Sequence, residues 1–128
     1  MDHDKLIAVG EYIEAFNQAT DQSLPCGIIY QSIGLEKHIL DRHPEQIDNL
    51  KYIPDIIRRP DYIGKNPNEE NSIELIKTIG DNIQVCVKLD LKHNYLYVAS
   101  TYPISESKLK NRLNSGRLQI FIDKNKIM

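Results

Sequence analysis

The stretch from residue 83 to residue 91 constrains the fold of this 128-residue chain more than any other. Apolar residues occupy every second position, at Ile83, Val85, Val87, Leu89 and Leu91. Alternation with a period of two is typical of a β-strand with one buried face, and such strands occur in antiparallel sheets. The sequence therefore predicts an antiparallel sheet built around this strand.

A two-residue His93-Asn94 turn is predicted to join this strand to the next, because asparagine tolerates the positive φ of a tight turn. Pairing across that turn sets Leu89 opposite Val98. The same register places a set of polar side chains on the open face of the sheet, namely those of Lys88, Tyr97 and Thr101. It places Tyr102 on the core side.

The N-terminal part of the chain shows a different period. Leu6, Val9, Ile13 and Phe16 recur at spacings of three and four, which predicts an amphipathic helix from about residue 2 to residue 18. The expected organisation is an N-terminal packing helix and linker over residues 1–25, followed by the main domain over 26–128, in one compact globule. Helices followed by strands indicate an α+β fold, a small antiparallel sheet with helices packed on one face.

One short segment concentrates the chemically reactive side chains. His38 and Arg42 are four residues apart, so on a helix they share one face. His43 precedes a proline, a position that disfavours the helical conformation, whereas Pro44 is well suited to begin a new helix. We expect the first helix to end at His43, which lets both imidazoles reach one cleft.

Two other interpretations of this segment remain open. Polar residues on one helix face are usually solvated, so the segment can also be a solvated surface followed by a capping histidine. A metal site built from His38, Asp41 and His43 is disfavoured, because spacings of three and five residues lack the i, i+4 geometry of helix-borne ligands. We therefore expect no metal and no cofactor.

Charge is distributed unevenly along the chain. The formal net charge of −2 argues against a general nucleic-acid coat. Residues 88–128, however, carry 8 Lys and Arg against 3 Asp and Glu, whereas residues 1–87 carry 8 against 15. A local basic surface of this kind suits phosphate contacts at one cleft, and it equally suits an acidic protein partner.

Cysteine usage and hydropathy indicate the compartment. Cys26 and Cys86 show no metal-type spacing, which predicts reduced thiols. The N-terminus has no leader pattern, and no run approaches the ~20 apolar residues of a membrane span. These features predict a soluble, cytoplasmic protein that makes no contact with a membrane.

Three parts of the sequence carry a resemblance to a known family. They are His38-Ile39-Leu40-Asp41-Arg42-His43-Pro44, then Ile53-Pro54-Asp55-Ile56-Ile57 with Arg59-Pro60-Asp61-Tyr62-Ile63, and a strand pair that closes on Ser100-Thr101-Tyr102. Together they resemble the phage-associated members of the barnase–EndoU–colicin–RelE nuclease superfamily, over residues 27–123. The resemblance implies helices on one face of a small antiparallel sheet, a substrate cleft on the other, and RNA cleavage without a metal.

The implied chemistry suits these residues. Metal-independent RNA cleavage needs a base for the 2′-OH proton, an acid for the leaving 5′-oxygen and donors for the charge on the phosphorane-like oxygens. His38 and His43 meet the first two needs, because an imidazole titrates near neutral pH. The expected donors are Arg42, Thr101 and, by analogy with the family, Lys108. The expected substrate-binding residues are Lys88, Tyr97, Lys108 and Tyr102.

The resulting hypothesis is a metal-independent endoribonuclease that leaves 2′,3′-cyclic phosphate ends and acts as a toxin or phage effector. The alternative is a catalytically inactive module of the same fold, which holds RNA or a protein in the same cleft. The expected partners are an RNA substrate and an inhibitor or immunity protein.

Overall fold

The computed structural model describes residues 5–122, which form seven strands, four α-helices and a 3₁₀ helix. The strands are β1 Leu6–Tyr12, β2 Gly27–Ser32, β3 Tyr62–Gly64, β4 Ser72–Ile79, β5 Asp81–Asp90, β6 Tyr95–Ile104 and β7 Leu118–Ile120. The helices are α1 Glu14–Thr20, α2 Ile33–Arg42, the 3₁₀ helix Pro44–Tyr52, α3 Ile53–Arg58 and α4 Glu106–Ser115.

The seven strands form one sheet in the order β1-β2-β6-β5-β4-β3-β7. Neighbouring strands are antiparallel except β2 and β6, which run parallel and pair only at Ile29–Leu96 and Tyr30–Tyr97. The consecutive strands β4, β5 and β6 form the centre, so the predicted strand lies in the middle of the sheet. The predicted α+β class is confirmed, and β7 forms one edge of the sheet.

Apolar side chains fill both sides of the sheet. The larger core lies between one sheet face and α1, α2 and α3; its central members are Phe16, Ile39, Ile53, Ile56, Ile57, Leu75, Val85 and Val87. A smaller cluster lies on the opposite face, where α4 packs through Leu109 against Ile76, Ile104 and Leu118. Most helices therefore cover one face as expected, and α4 covers part of the other.

The predicted N-terminal helix is wrong over residues 6–12. These residues form β1, which pairs antiparallel with β2, and the helix α1 covers only Glu14–Thr20. The three- and four-residue spacing of the apolar residues fits a helix, but β2 offers a full strand of backbone partners, and this tertiary pairing overrides the local period. The beginning of the predicted helix, residues 2–4, lies outside the described residues.

The β5–β6 hairpin pairs in a different register from the predicted one. Residues 91–94 form the turn, with Asn94 at φ 58°, so Leu89 lies opposite Leu96 rather than Val98. A shift of two residues leaves each side chain on its predicted face, because the period of a strand is two.

A β-bulge in β6 then exchanges the faces. Ala99 is an extra residue between the paired residues Val98 and Ser100. One inserted residue turns the following side chains to the other side of the sheet. Thr101 therefore points to the core side, where it is 5% exposed, and Tyr102 points to the opposite face. The predicted positions of these two side chains are wrong for this reason.

Candidate active site

The helix α2 presents His38 to solvent because the opposite side of the helix is buried. Leu35 and Ile39 pack into the larger core with 8% and 3% exposure, whereas His38 is exposed. The α2 helix follows β2 directly, so the end of that strand fixes where the histidine lies relative to the sheet.

The predicted end of the helix at His43 is confirmed. His43 adopts φ −143° and ψ 62°, outside the helical region, while its backbone N–H still donates to the carbonyl of Ile39 at 2.7 Å. Pro44 then begins the 3₁₀ helix. Because the chain changes direction at this residue, the two imidazoles are freed from the ~140° offset that five residues of a continuous helix would impose.

Both histidines line one cavity of about 350 Å³. The same cavity is lined by Leu35, Ile39 and Gln46 on the helical side and by residues 99–103 of β6 on the sheet side. Its volume is in the range of pockets that hold small organic groups. The arrangement combines exposed imidazoles, an apolar wall and the bulged part of a strand.

Two residues that line this cavity each carry a buried side-chain oxygen without a hydrogen-bond partner. These oxygens are Oγ1 of Thr101 and Oε1 of Gln46, and they are the only buried side-chain polar atoms without a partner among residues 5–122. A buried polar group without a partner costs roughly 1–3 kcal/mol, so native structures contain few of them. Their occurrence on residues that line the same cavity identifies it as a place that can accept a polar ligand.

The structure does not bring all the predicted donors to the histidines. Arg42 is exposed and does not line the cavity, although it follows His38 by one helical turn. Lys108 lies in the first turn of α4, where its N–H donates to Ser105 Oγ at 3.1 Å. Its side chain lines a separate, larger cavity of about 780 Å³, together with Arg112 and Arg117.

Lys88 and Tyr102 line a third cavity of about 220 Å³, which shares Ala99, Ser100 and Tyr102 with the histidine cavity. Nζ of Lys88 lies 2.8 Å from Oε2 of Glu69, and this hydrogen bond raises the pKa of the lysine. Burial raises the pKa of the Tyr102 hydroxyl, so the phenol is neutral at physiological pH. The two cavities therefore meet at the bulge of β6.

Three tyrosines lie beyond Lys88 on the same face of the sheet. Tyr97 pairs with Lys88 across the hairpin and with Tyr30 across the parallel junction. The ring centroid of Tyr95 lies 6.0 Å from those of Tyr30 and Tyr97. All three side chains are half-buried, so part of each ring is accessible.

A buried ionic network occupies the face next to α4, and no local sequence pattern indicates it. Glu74 is 2% exposed and accepts from Nε and Nη2 of Arg117 at 2.8 and 2.7 Å. Arg112 donates to Oε1 of Gln84 at 2.6 Å and lies 3.8 Å from the Glu74 carboxylate. Glu74 lies opposite Cys86 of β5, on the face of the sheet that α4 partly covers.

Gln46 was also missed, because an unpartnered oxygen has no signature in a sequence. Within residues 5–122, no group of three His, Cys, Asp or Glu side chains is arranged to hold a metal ion. None of the helices in this part of the chain is long and apolar enough to cross a membrane.

The chain was compared with known protein families, curated proteins and solved structures. No curated protein and no solved structure matches the chain. The family model described as phage-Barnase-EndoU-ColicinE5/D-RelE like nuclease3 matches residues 7–111. This range contains the segment from His38 to Pro44, the bulged strand β6 and most of α4. The chain belongs to this family of phage barnase–EndoU–colicin–RelE-like nucleases.

Proposed function

We propose that the protein is a metal-independent endoribonuclease in which His38 and His43 act as the acid–base pair. The observation that carries this proposal is that His38 and His43 line one cavity together with Thr101, whose buried hydroxyl has no hydrogen-bond partner within residues 5–122. Membership of a nuclease family supports phosphodiester cleavage as the reaction. The action of the protein as a toxin or phage effector, held by an inhibitor or immunity protein, is part of the same proposal.

The proposed reaction uses one imidazole as a base and the other as an acid. The neutral ring takes the proton of a 2′-OH, whose oxygen attacks the adjacent phosphorus. The P–O5′ bond breaks, and the protonated ring gives its proton to the leaving 5′-oxygen. The products carry a 2′,3′-cyclic phosphate and a 5′-hydroxyl group. Each proton transfer contributes on the order of 10²–10⁴ in rate.

Thr101 is the proposed neutral donor for the charge on the non-bridging phosphate oxygens. Its hydroxyl has no protein partner, so donating to a substrate breaks no existing hydrogen bond. Arg42 is the proposed cationic contact outside the cavity, since it is exposed one helical turn from His38. Lys108 lies at a different cavity and is proposed to bind a more distant phosphate.

The substrate path is proposed to cross the part of β6 that follows Tyr97, where β2 no longer pairs with this strand. The histidine cavity shares the bulge and Tyr102 with the cavity of Lys88, and Tyr97 lies directly opposite Lys88. An ammonium group suits a phosphate, and an accessible tyrosine ring suits stacking of an unpaired base. A single-stranded segment can therefore contact both cavities without unfolding any part of the sheet.

The decisive experiment is the incubation of purified protein with RNA, followed by mapping of the ends. We expect 2′,3′-cyclic phosphate and 5′-hydroxyl ends, cleavage that EDTA does not reduce, and resistance of a linkage with 2′-deoxyribose at the cut. Changing either His38 or His43 to Ala should reduce the rate by on the order of 10²–10⁴. His93→Ala is the matched control, because that histidine lies in the β5–β6 turn outside the cavity.

Several outcomes would contradict the proposal. Cleavage that persists in the double His38→Ala/His43→Ala variant would exclude the two rings as the acid–base pair. Ends with a 3′-hydroxyl group, or cleavage of DNA at a comparable rate, would exclude attack by a 2′-OH. Binding of RNA without cleavage would favour the inactive module. Circular dichroism should remain unchanged in all variants, since both rings are exposed.

A further inference from the structure

Gln46 lies next to the proposed acid–base pair. Its backbone N–H donates to the carbonyl of His43 at 2.8 Å, which places it one turn after that histidine in the 3₁₀ helix. The residue lines the histidine cavity, and its Oε1 is buried without a hydrogen-bond partner. No role for this side chain follows from the acid–base chemistry described above.

The surroundings of Gln46 limit what its oxygen can bind. The wall of the cavity includes Leu35 and Ile39, which are almost fully buried, whereas His38 and His43 are exposed. An anion is a poor partner for Oε1, because a carboxamide oxygen accepts hydrogen bonds and repels phosphate oxygens. A flat, largely apolar group with an N–H on its edge suits both the wall and the acceptor.

We propose that the histidine cavity contains a nucleobase subsite in which the carboxamide of Gln46 recognises the hydrogen-bonding edge of an unstacked base. This inference rests on the proposed function, since it takes RNA as the ligand of the cavity. The base would be the one next to the phosphate held by the imidazoles. The volume of about 350 Å³ suits a single base, and recognition of single-stranded RNA commonly uses splayed-out bases of this kind.

The chemistry of the carboxamide makes the subsite testable. A glutamine side chain offers one acceptor and one donor, so it can pair with an edge that has an adjacent N–H and a lone pair. Each base has such a pair on its Watson–Crick edge. A carboxylate offers acceptors only, and guanine is the base with two adjacent donors, N1–H and the N2 amino group. Gln46→Glu is therefore expected to shift the preference towards guanine.

The experiment compares short RNA substrates with one cleavable linkage and each of the four bases beside it. Gln46→Glu should raise the ratio of guanine to the other bases by about tenfold, the typical value of a good bidentate base contact. Gln46→Leu offers neither a donor nor an acceptor, so it should lower cleavage beside all four bases without favouring guanine. Gln18→Glu adds the same charge on an exposed position of α1 and should leave the preference unchanged.

A binding measurement separates this inference from the proposed function. The same four sequences, with 2′-deoxyribose at the cut, are titrated into the unmodified protein and the two Gln46 variants. Base-dependent affinity that changes with Gln46 supports the subsite even if no variant cleaves RNA, an outcome that would refute only the nuclease proposal. Identical base preferences in the unmodified protein, Gln46→Glu and Gln46→Leu, in cleavage and in binding, would refute the subsite.

Discussion

Replacing Thr101 with valine should change stability and activity in opposite directions. Thr101 is 5% exposed, and its buried hydroxyl has no hydrogen-bond partner among residues 5–122. Valine has nearly the same shape, so the substitution removes a desolvated hydroxyl without leaving a void. Since such a group costs about 1–3 kcal/mol, we expect Thr101→Val to raise the free energy of unfolding by about 1–2 kcal/mol. The corresponding increase in Tm is about 3–6 °C for a chain of this size.

Thr20 provides the matched control. It is similarly buried, at 7% exposure, but its hydroxyl donates to the carbonyl of Phe16 at 2.7 Å. The same hydroxyl also accepts from Nε2 of Gln22 at 3.3 Å. Thr20→Val should therefore lower the free energy of unfolding by about 1–2 kcal/mol, since each hydrogen bond contributes about 1 kcal/mol net. Urea denaturation followed by circular dichroism measures both variants.

The activity of Thr101→Val should fall by about 10- to 100-fold, as for the loss of a hydrogen bond to a charged group. A stability gain together with an activity loss is the pattern of a polar group that is retained for a ligand. If Thr101→Val destabilises the protein as much as Thr20→Val, the Thr101 hydroxyl has a partner in the free protein. The reasoning that links the unpartnered oxygen to ligand binding would then be wrong.

Two further predictions concern ionic contacts. Arg117→Ala should lower the free energy of unfolding by about 3 kcal/mol, the lower end for breaking a buried ion pair. The lower end applies because Arg112 remains 3.8 Å from the Glu74 carboxylate. Adding Glu74→Gln should restore part of the loss, as measured by urea denaturation. The pKa of Asp90 lies below its usual value, chiefly because of its hydrogen bonds with His93. The contribution of the Asp90 carboxylate to stability is therefore present above about pH 4, and it is lost as the pH falls through the pKa of Asp90 in the folded protein. In His93→Ala, NMR titration should show the pKa of Asp90 rising towards its usual value of about 4.

The parts of the fold that could be predicted from the sequence are those in which local chemistry decides. The break at His43 follows from the restriction that Pro44 imposes on the residue before it, and no distant contact is needed to explain it. The strand β5 follows from alternation, because Ile83, Val85 and Val87 all pack into the larger core.

The parts that could not be predicted depend on distant partners. The apolar spacing of residues 6–16 is compatible with a helix, and only the presence of β2 makes a strand the better solution for β1. The face of Thr101 depends on a single extra residue, Ala99, which leaves no mark in the alternation of a strand that contains several polar residues. Gln46 and Glu74 depend on what packs against them, and neighbours in space are not written in the local pattern.

The position of the candidate site follows from the way the sheet divides. The strand β2 pairs with β6 only as far as Tyr97, and α2 begins at Ile33, directly after β2 ends. From this junction the helix α2 and the strand β6 follow different paths, with a rise of ~1.5 Å per residue in the helix and ~3.3 Å per residue in the strand. His38 is the sixth residue of α2, and Thr101 follows Tyr97 by four. Both therefore lie beyond the β2–β6 junction. There, no strand within residues 5–122 pairs with this side of β6, and the bulge turns Thr101 to the core side. A cavity with two imidazoles on its helical side is a direct consequence of this topology, so the loss of either the β2–β6 junction or the bulge should affect the site before it affects the rest of the sheet.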